Sequence, residues 1–376
     1  MSRLPRVLQL NNCIGEGAGP FARVTRIDPK RFQVTICSYY DEECNLESVA
    51  SQTTYRVIGL GARKRIDFRV WGDLWHLIRD GHFDIIHTHH NLMGMLGMLL
   101  GKLASIPVLV HSVGTMYSRL SILTKLFHMI TFLLADSVVC VSRSVKESFG
   151  LFSRTLLKKK LAVIRNGIDV SGVESYASFG QEKRAEWGFG PQEFVIGNVA
   201  RLIPLKDQET LIRAVSQAYK RHSNIRLLII GRGRLKKSLE KLARNSGLEK
   251  SAIFAGNVIQ TEVYRTLYAL DMFVMTSLWE GLSAAVLEAM GAELPVILTD
   301  IPSFRETIED RVSGRLVPTK DVDALSSTIK EMMDNPREAR EMGKAAKERV
   351  IRTFSIKETA EAYEALYREL LSRKGI

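Results

Sequence analysis

No stretch of the 376 residues approaches the roughly 18 uninterrupted apolar residues that a membrane-spanning helix needs. The best candidate, 92–100, is interrupted by Gly94 and Gly97 and followed by Gly101 and Lys102. Cysteine is scarce. Cys13, Cys37, Cys44 and Cys140 show neither a disulfide framework nor paired C-x-x-C zinc spacing, so reduced thiols of a cytosolic protein are expected. The opening MSRLPRVLQLNN has no cleavage signal, so export is not expected. Acidic residues are in deficit, 41 against 53 basic ones, for a net charge of +12. The imbalance is concentrated in 51–170, where 16 Lys/Arg face 7 Asp/Glu. Nucleic acid, an anionic membrane surface or a phosphorylated substrate would each suit such a region. Nucleic acid is disfavoured, because aromatics do not interleave with the cations and no recognised nucleic-acid module is present.

What remains is ordinary globular composition, 45% apolar and 25% charged, in a chain long enough for about two domains of roughly 150 residues. Short β-branched runs alternate with amphipathic segments. In the first half the runs fall at 6–12, 32–40, 55–60, 83–89, 108–113, 137–141 and 161–165, with helical periodicity at 69–80, 91–104, 117–134 and 143–150. The pattern restarts at 194–200, 226–230, 252–255, 272–276 and 296–299. Apolar strands alternating with helices imply parallel sheets covered on both faces. The polar stretch 170–192 holds no convincing strand and reads as an interdomain connection. Two doubly wound α/β domains follow, with ligands expected at the carboxyl ends of the strands.

The most informative segment is MTSLWEGLSAAVLEAMGAELPVILTD, 275–300: a strand end, a loop with Glu280 and Gly281, a helix over about 282–291, and a new strand. Free amides of Gly281, Leu282 and Ser283 before such a helix suit a phosphate. Read alone, the segment is equally a capped amphipathic helix. In NVARLIPLKDQETLIRA, 198–214, Arg201 ends a strand and Lys206 precedes a helix, two cations able to grip a diphosphate through charge-assisted hydrogen bonds. In the first half, CIGEGAGP (13–20) is a glycine loop after a strand. Its third G-x-G-x-x-G glycine would fall on Pro20, so it is no dinucleotide fingerprint. His87 and His89 share a strand face by period 2, but no further metal ligand has suitable spacing.

The 275–300 segment resembles the donor-binding signature of retaining GT-B glycosyltransferases, specifically glycosyltransferase family 4, matching at Ser277, Leu278, Glu280, Gly281, Leu287, Glu288, Ala289, Met290, Pro295 and Val296. Arg201 and Lys206 fit the family's R-L-x-x-x-K-G pattern, with Asp207 in place of the usual glycine. IRLLIIGRG (225–233), IFAG (253–256) and IRNGIDV (164–170) are similar to further family segments, although Arg232 stands where an Asp is usual. The resemblance implies an α/β fold of GT-B type, two Rossmann-like doubly wound domains facing across a cleft. Residues 1–175 would bind the acceptor, with 356–376 packing back on them, and 190–355 would bind the nucleotide sugar.

It further implies a retaining, metal-independent hexosyltransferase by a front-face, internal-return mechanism. Its donor would be a UDP-sugar by default, or a GDP-sugar, used as co-substrate without other cofactor. Arg201 and Lys206 would bind the diphosphate together with the amides of Gly281, Leu282 and Ser283; Glu280 would hold the donor sugar, Glu288 the ribose, and Gly15 and Gly17 would approach the donor. The family's functional histidine falls on Val113 or Gly114 here, so His111 serves instead or the role is vacant. The acceptor would be a glycan or a lipid-linked glycan in cell-surface polysaccharide or glycolipid synthesis, with the enzyme cytoplasmic or peripheral at the inner membrane face. The apolar stretch 116–134, with Arg119, Lys125 and His128, is either a core helix or an interfacial one, and the basic clusters 63–65 and 158–160 would join the latter. A catalytically impaired nucleotide-sugar-binding partner subunit and a GT-B-fold nucleotide-sugar epimerase are the competing functions.

Overall fold

The computed structural model describes residues 3–13, 26–40, 53–64 and 66–376. The chain forms two compact units, Met1–Gly167 with Ile356–Ile376, and Ile168–Ser355. Gly15, Gly17, Cys44 and Arg65 lie outside the described residues.

The first unit holds a parallel sheet of β1 (Arg6–Asn11), β2 (Gln33–Ser38), β3 (Arg56–Gly59), β4 (Ile85–Thr88), β5 (Val108–Val113), β6 (Ser137–Cys140) and β7 (Leu161–Val163), in the order β3-β2-β1-β4-β5-β6-β7. Every residue of β4, β5 and β6 is buried, which is why these strands read as continuous apolar runs instead of alternating ones. The second unit repeats the plan with β8 (Phe194–Val199), β9 (Ile225–Ile230), β10 (Ala252–Gly256), β11 (Met272–Met275), β12 (Val296–Thr299) and β13 (Arg315–Val317), ordered β10-β9-β8-β11-β12-β13. Strand order reverses between β1 and β4 and between β8 and β11. Those two places are where doubly wound sheets open a crevice for ligand.

Two sequence expectations change. β13, three residues opening on Arg315 and paired to β12 at the sheet edge, is too short to stand out as an apolar run. The supposed connection 170–192 is instead largely helical, with Val170–Glu174 and Gly180–Glu186, and it belongs to the second unit. Its polarity concealed two anchors. Val173 is fully buried, and the buried Lys183 ammonium pairs with Glu186 and Glu262.

The final helix, Ile356–Arg373, lays Tyr363, Tyr367, Leu370 and Leu371 against Val7, Ile36, Ile85 and Val110 of the first sheet. A buried polar network crosses this contact. Gln9 Nε2 donates to the Tyr367 hydroxyl at 2.8 Å, which meets His87 Nδ1 at 2.6 Å; His87 Nε2 meets Ser112 Oγ at 2.7 Å, and Ser112 Oγ meets the Tyr363 hydroxyl at 3.0 Å. Both ring nitrogens of His87 are thereby engaged, and His89 Nε2 is held by Gln9 Oε1 at 2.6 Å. The histidine pair is thus part of a packed network. Among the described residues no group of three His, Cys, Asp or Glu side chains is placed to hold a metal. Tyr367→Phe should cost about 0.5–1.5 kcal/mol, because it removes the hydroxyl's buried hydrogen bonds and leaves Gln9 Nε2 and His87 Nδ1 only their mutual contact at 3.3 Å. Urea unfolding of the full chain measures that loss; an unchanged midpoint would contradict the network's role.

Cys37 and Cys140 are free and buried. The stretch 116–134 differs from a core helix. A short turn, Tyr117–Arg119, precedes a helix, Ile122–Leu134, that buries His128, Thr131 and Phe132 and leaves most of its apolar residues exposed. No helix among the described residues is long and apolar enough to cross a membrane.

Candidate active site

In the second unit the chain leaves β8 at Ala200–Arg201, makes a single turn at Pro204–Lys206, passes through Asp207 and enters the helix Gln208–Tyr219. Asp207 is left-handed, with φ 45°. That conformation suits glycine and, next to it, aspartate or asparagine. The Asp207 carboxyl accepts from Thr210 Oγ1 at 2.7 Å, and burial pushes its pKa up. The departure from the family glycine is therefore accommodated in the backbone.

The neighbouring strand β11 delivers Thr276, Ser277 and Glu280 beside this turn. Thr276 Oγ1 shares its proton between the Lys206 and Asp207 carbonyls at 2.9 Å each, and Leu278 N donates to the Leu205 carbonyl at 2.9 Å. The stitched loops bring Lys206 and Glu280 together, 74 residues apart in sequence. The ammonium donates to Glu280 Oε1, which also accepts from Ser277 Oγ at 2.7 Å. Both side chains of the pair are 12% exposed, so the pair is shielded but reachable.

Arg201 is fixed through its backbone, its carbonyl accepting from the buried Gln208 amide at 3.1 Å. Its guanidinium is exposed and has no partner among the described residues. The glycines of 225–233 explain how it is positioned. Gly231, at φ 143°, lies so close to Ala200 that a Cβ would strike the Ala200 carbonyl, and a Cβ on Gly233 would strike that of Leu202. The loop after β9 thus braces the segment bearing Arg201.

The helix after Glu280 begins at Ala284, two residues later than the sequence suggested. Gly281 and Leu282 therefore sit in the preceding loop, and Ser283 is the N-cap residue, so the unpaired first-turn amides start at Ser283. One and a half turns on, Glu288 is buried, accepting from Gln260 Nε2 at 2.9 Å with Tyr264 nearby. Burial raises its pKa from 4.5 to about 7, with Gln260 and Tyr264 opposing the rise. Gln260 and Tyr264 were not singled out from sequence. Their i, i+4 spacing on the helix Gln260–Leu267 puts both on one face, the signal that was there to find. The two carboxylates thus have separate environments, Glu280 beside a cation and Glu288 in a neutral pocket.

His111 lies in the first unit, two residues before the end of β5. It is 1% exposed, with Nδ1 2.7 Å from Thr88 Oγ1 and its ring packed against Gly94, Phe132 and His128. Burial, then the neighbouring His128, push its pKa down to about 3, so it is neutral at physiological pH.

The family model for glycosyl transferases group 1 matches residues 180–349, and that for Glycosyltransferase Family 4 matches 25–171. The chain belongs to the group 1, family 4 glycosyltransferases. The glycosyltransferase is 25% identical over 312 residues to the Escherichia coli UDP-Gal:alpha-D-GlcNAc-diphosphoundecaprenol alpha-1,3-galactosyltransferase, a match spanning 80% of this chain and 79% of that one. Its fold is that of Anabaena HepE, solved with UDP and glucose, at TM-score 0.83 and 18% identity, covering 97% of this chain and all of that one. Sucrose-phosphate synthase of Thermosynechococcus elongatus superposes at TM-score 0.77 with 20% identity, covering 99% of this chain and all of that one. The two-domain fold of the glycosyltransferase is accordingly GT-B, built from two Rossmann-like parallel sheets.

Proposed function

We propose that this glycosyltransferase takes a sugar from a UDP-sugar and transfers it, with retention of the anomeric configuration, to a glycan or lipid-linked acceptor. The second unit would bind the donor and the first the acceptor. The observation that carries this reading is the meeting of Lys206 with Glu280 where β8 and β11 diverge, close in sequence to Arg201, which has no side-chain partner among the described residues. The UDP preference rests on the relatives, one named for UDP-Gal and one solved with UDP.

The chemistry needs little else. The bond between the sugar C1 and the β-phosphate oxygen breaks, and UDP leaves with added negative charge. Arg201 and Lys206 supply preorganised positive charge for that leaving group, helped by the amides at Ser283 and after it, with no metal required. The acceptor hydroxyl attacks C1 from the same face and passes its proton to the departing β-phosphate oxygen. Glu280, turned from Lys206 toward the sugar hydroxyls, would position the sugar, and Glu288 would accept from the ribose hydroxyls. Neither carboxylate acts as a nucleophile.

Synthesis of a cell-surface polysaccharide or glycolipid, with the enzyme on the cytoplasmic side of the membrane, fits such an acceptor. Purified full chain should release UDP from one member of a panel of UDP- and GDP-sugars once an acceptor is present. Binding without turnover would favour the impaired partner subunit, and conversion of donor without acceptor would favour an epimerase.

A further inference from the structure

The helix Ile122–Leu134 turns its more polar side to the core and leaves its apolar side exposed. His128, Thr131 and Phe132 face the first unit's core. On the other side Ile122, Leu123, Leu126, Phe127, Ile130 and Leu133 are 46–77% exposed. At 100° per residue these six cover an arc of about 140° on a helix about 20 Å long. The adjoining helix Asn91–Leu103 ends in Leu103, 72% exposed, and the short helix Leu151–Leu156 begins with Leu151 and Phe152, 82% and 77% exposed. An apolar surface of this extent marks an interaction site.

Charge identifies the occupant. Between Asn91 and Lys160 the chain has nine Lys/Arg and two carboxylates, Asp136 and Glu147. Asp136 is committed to Lys374 and to the Leu109 amide. Lys102, Arg119, Arg154, Lys158 and Lys159 are exposed. Lys160 is not among them, since its ammonium caps the helix end through the Leu133 and Ala135 carbonyls at 2.7 Å each. Lys125 is tied to the Ser118 carbonyl at 3.2 Å and lies over the Tyr117 ring. A second copy of the chain would bring the same cations against themselves. A layer that is apolar beneath and anionic above satisfies both features of the surface.

We propose that this face is a monotopic docking surface for an anionic lipid bilayer, the helix Ile122–Leu134 lying in the interface with its exposed apolar arc among the acyl chains. Two signals act together: apolar insertion, which salt does not screen, and attraction of the exposed cations to headgroups, which fades beyond a Debye length of about 8 Å. The inference goes beyond the transferase reading and uses none of the donor-site residues.

Co-sedimentation of the full chain with vesicles tests it, and because no donor is added its failure is distinguishable from failure of the transferase reading. Phosphatidylcholine vesicles containing phosphatidylglycerol should retain the protein far better than phosphatidylcholine alone, and added salt should reduce binding without abolishing it. Leu126→Glu with Phe127→Glu should lower the partition coefficient at least about tenfold while circular dichroism stays unchanged, since both side chains are exposed. Lys158→Glu with Lys159→Glu should lower it on anionic vesicles and leave the residual binding to neutral ones. Equal recovery on neutral and anionic vesicles, or full binding by the Leu126/Phe127 variant, overturns the proposal. So does a dimer in lipid-free sedimentation velocity that the same variant dissolves.

Discussion

Lys206→Ala should weaken donor binding about ten- to a hundredfold, the effect of removing one charge-assisted hydrogen bond worth about 1.5–3 kcal/mol. The change does more than delete a cation. Glu280 loses its ionic partner and keeps the Ser277 hydroxyl, leaving an uncompensated carboxylate beside the place proposed for the diphosphate. Part of the loss is therefore repulsion, and Lys206→Ala with Glu280→Gln should bind UDP better than Lys206→Ala alone. Titration of UDP into the four proteins of this cycle yields the coupling directly. Arg201→Ala, with no ion pair to break among the described residues, should show a similar loss of affinity without any rescue by Glu280→Gln. Additive behaviour of Lys206 and Glu280 would mean that their contact has no part in donor binding.

Glu288→Gln should make the protein more stable and less able to hold its donor. With a pKa raised from 4.5 to about 7, Glu288 keeps its proton in the folded state over a range where the unfolded chain has lost it. The folded state then binds more protons than the unfolded one, so stability falls as pH rises through that interval and levels off above it. The span corresponds to about 3 kcal/mol. Glutamine avoids the cost and still accepts the Gln260 hydrogen bond. Its Tm should exceed the parent's by several degrees above about pH 8, and the gain should vanish below about pH 4. Donor affinity should drop at least about tenfold, because a neutral amide replaces a carboxylate as the proposed acceptor of ribose hydroxyls. A gain in Tm independent of pH would show that Glu288 is ionised in the folded protein.

Strand-turn-helix units were legible because their signals are local. The runs leading to Arg201 and Glu280 and the helix carrying Glu288 follow from apolar runs broken by turn residues, and β5 and β12 match the expected bounds to the residue. What joins these units was not legible. Nothing near Glu280 in sequence announces Lys206, and Glu288 meets Gln260 only because the fold brings the start of the helix Gln260–Leu267 to it. A histidine at a strand end looks the same in sequence whether it opens to solvent or, like His111, turns under a helix. The helix Ile122–Leu134 misleads for a related reason: Thr124, Lys125, His128 and Thr131 share one face, yet it is that more polar side, with Phe132, that meets the core and the apolar side that is exposed.

The stereochemistry of the product tests the central claim most directly. The full chain should be incubated with its UDP-sugar, an acceptor and EDTA, and the anomeric proton coupling of the new linkage read by NMR. The account predicts turnover in EDTA and a product with the donor's anomeric configuration. An inverted linkage, or complete loss of turnover with EDTA, would contradict it.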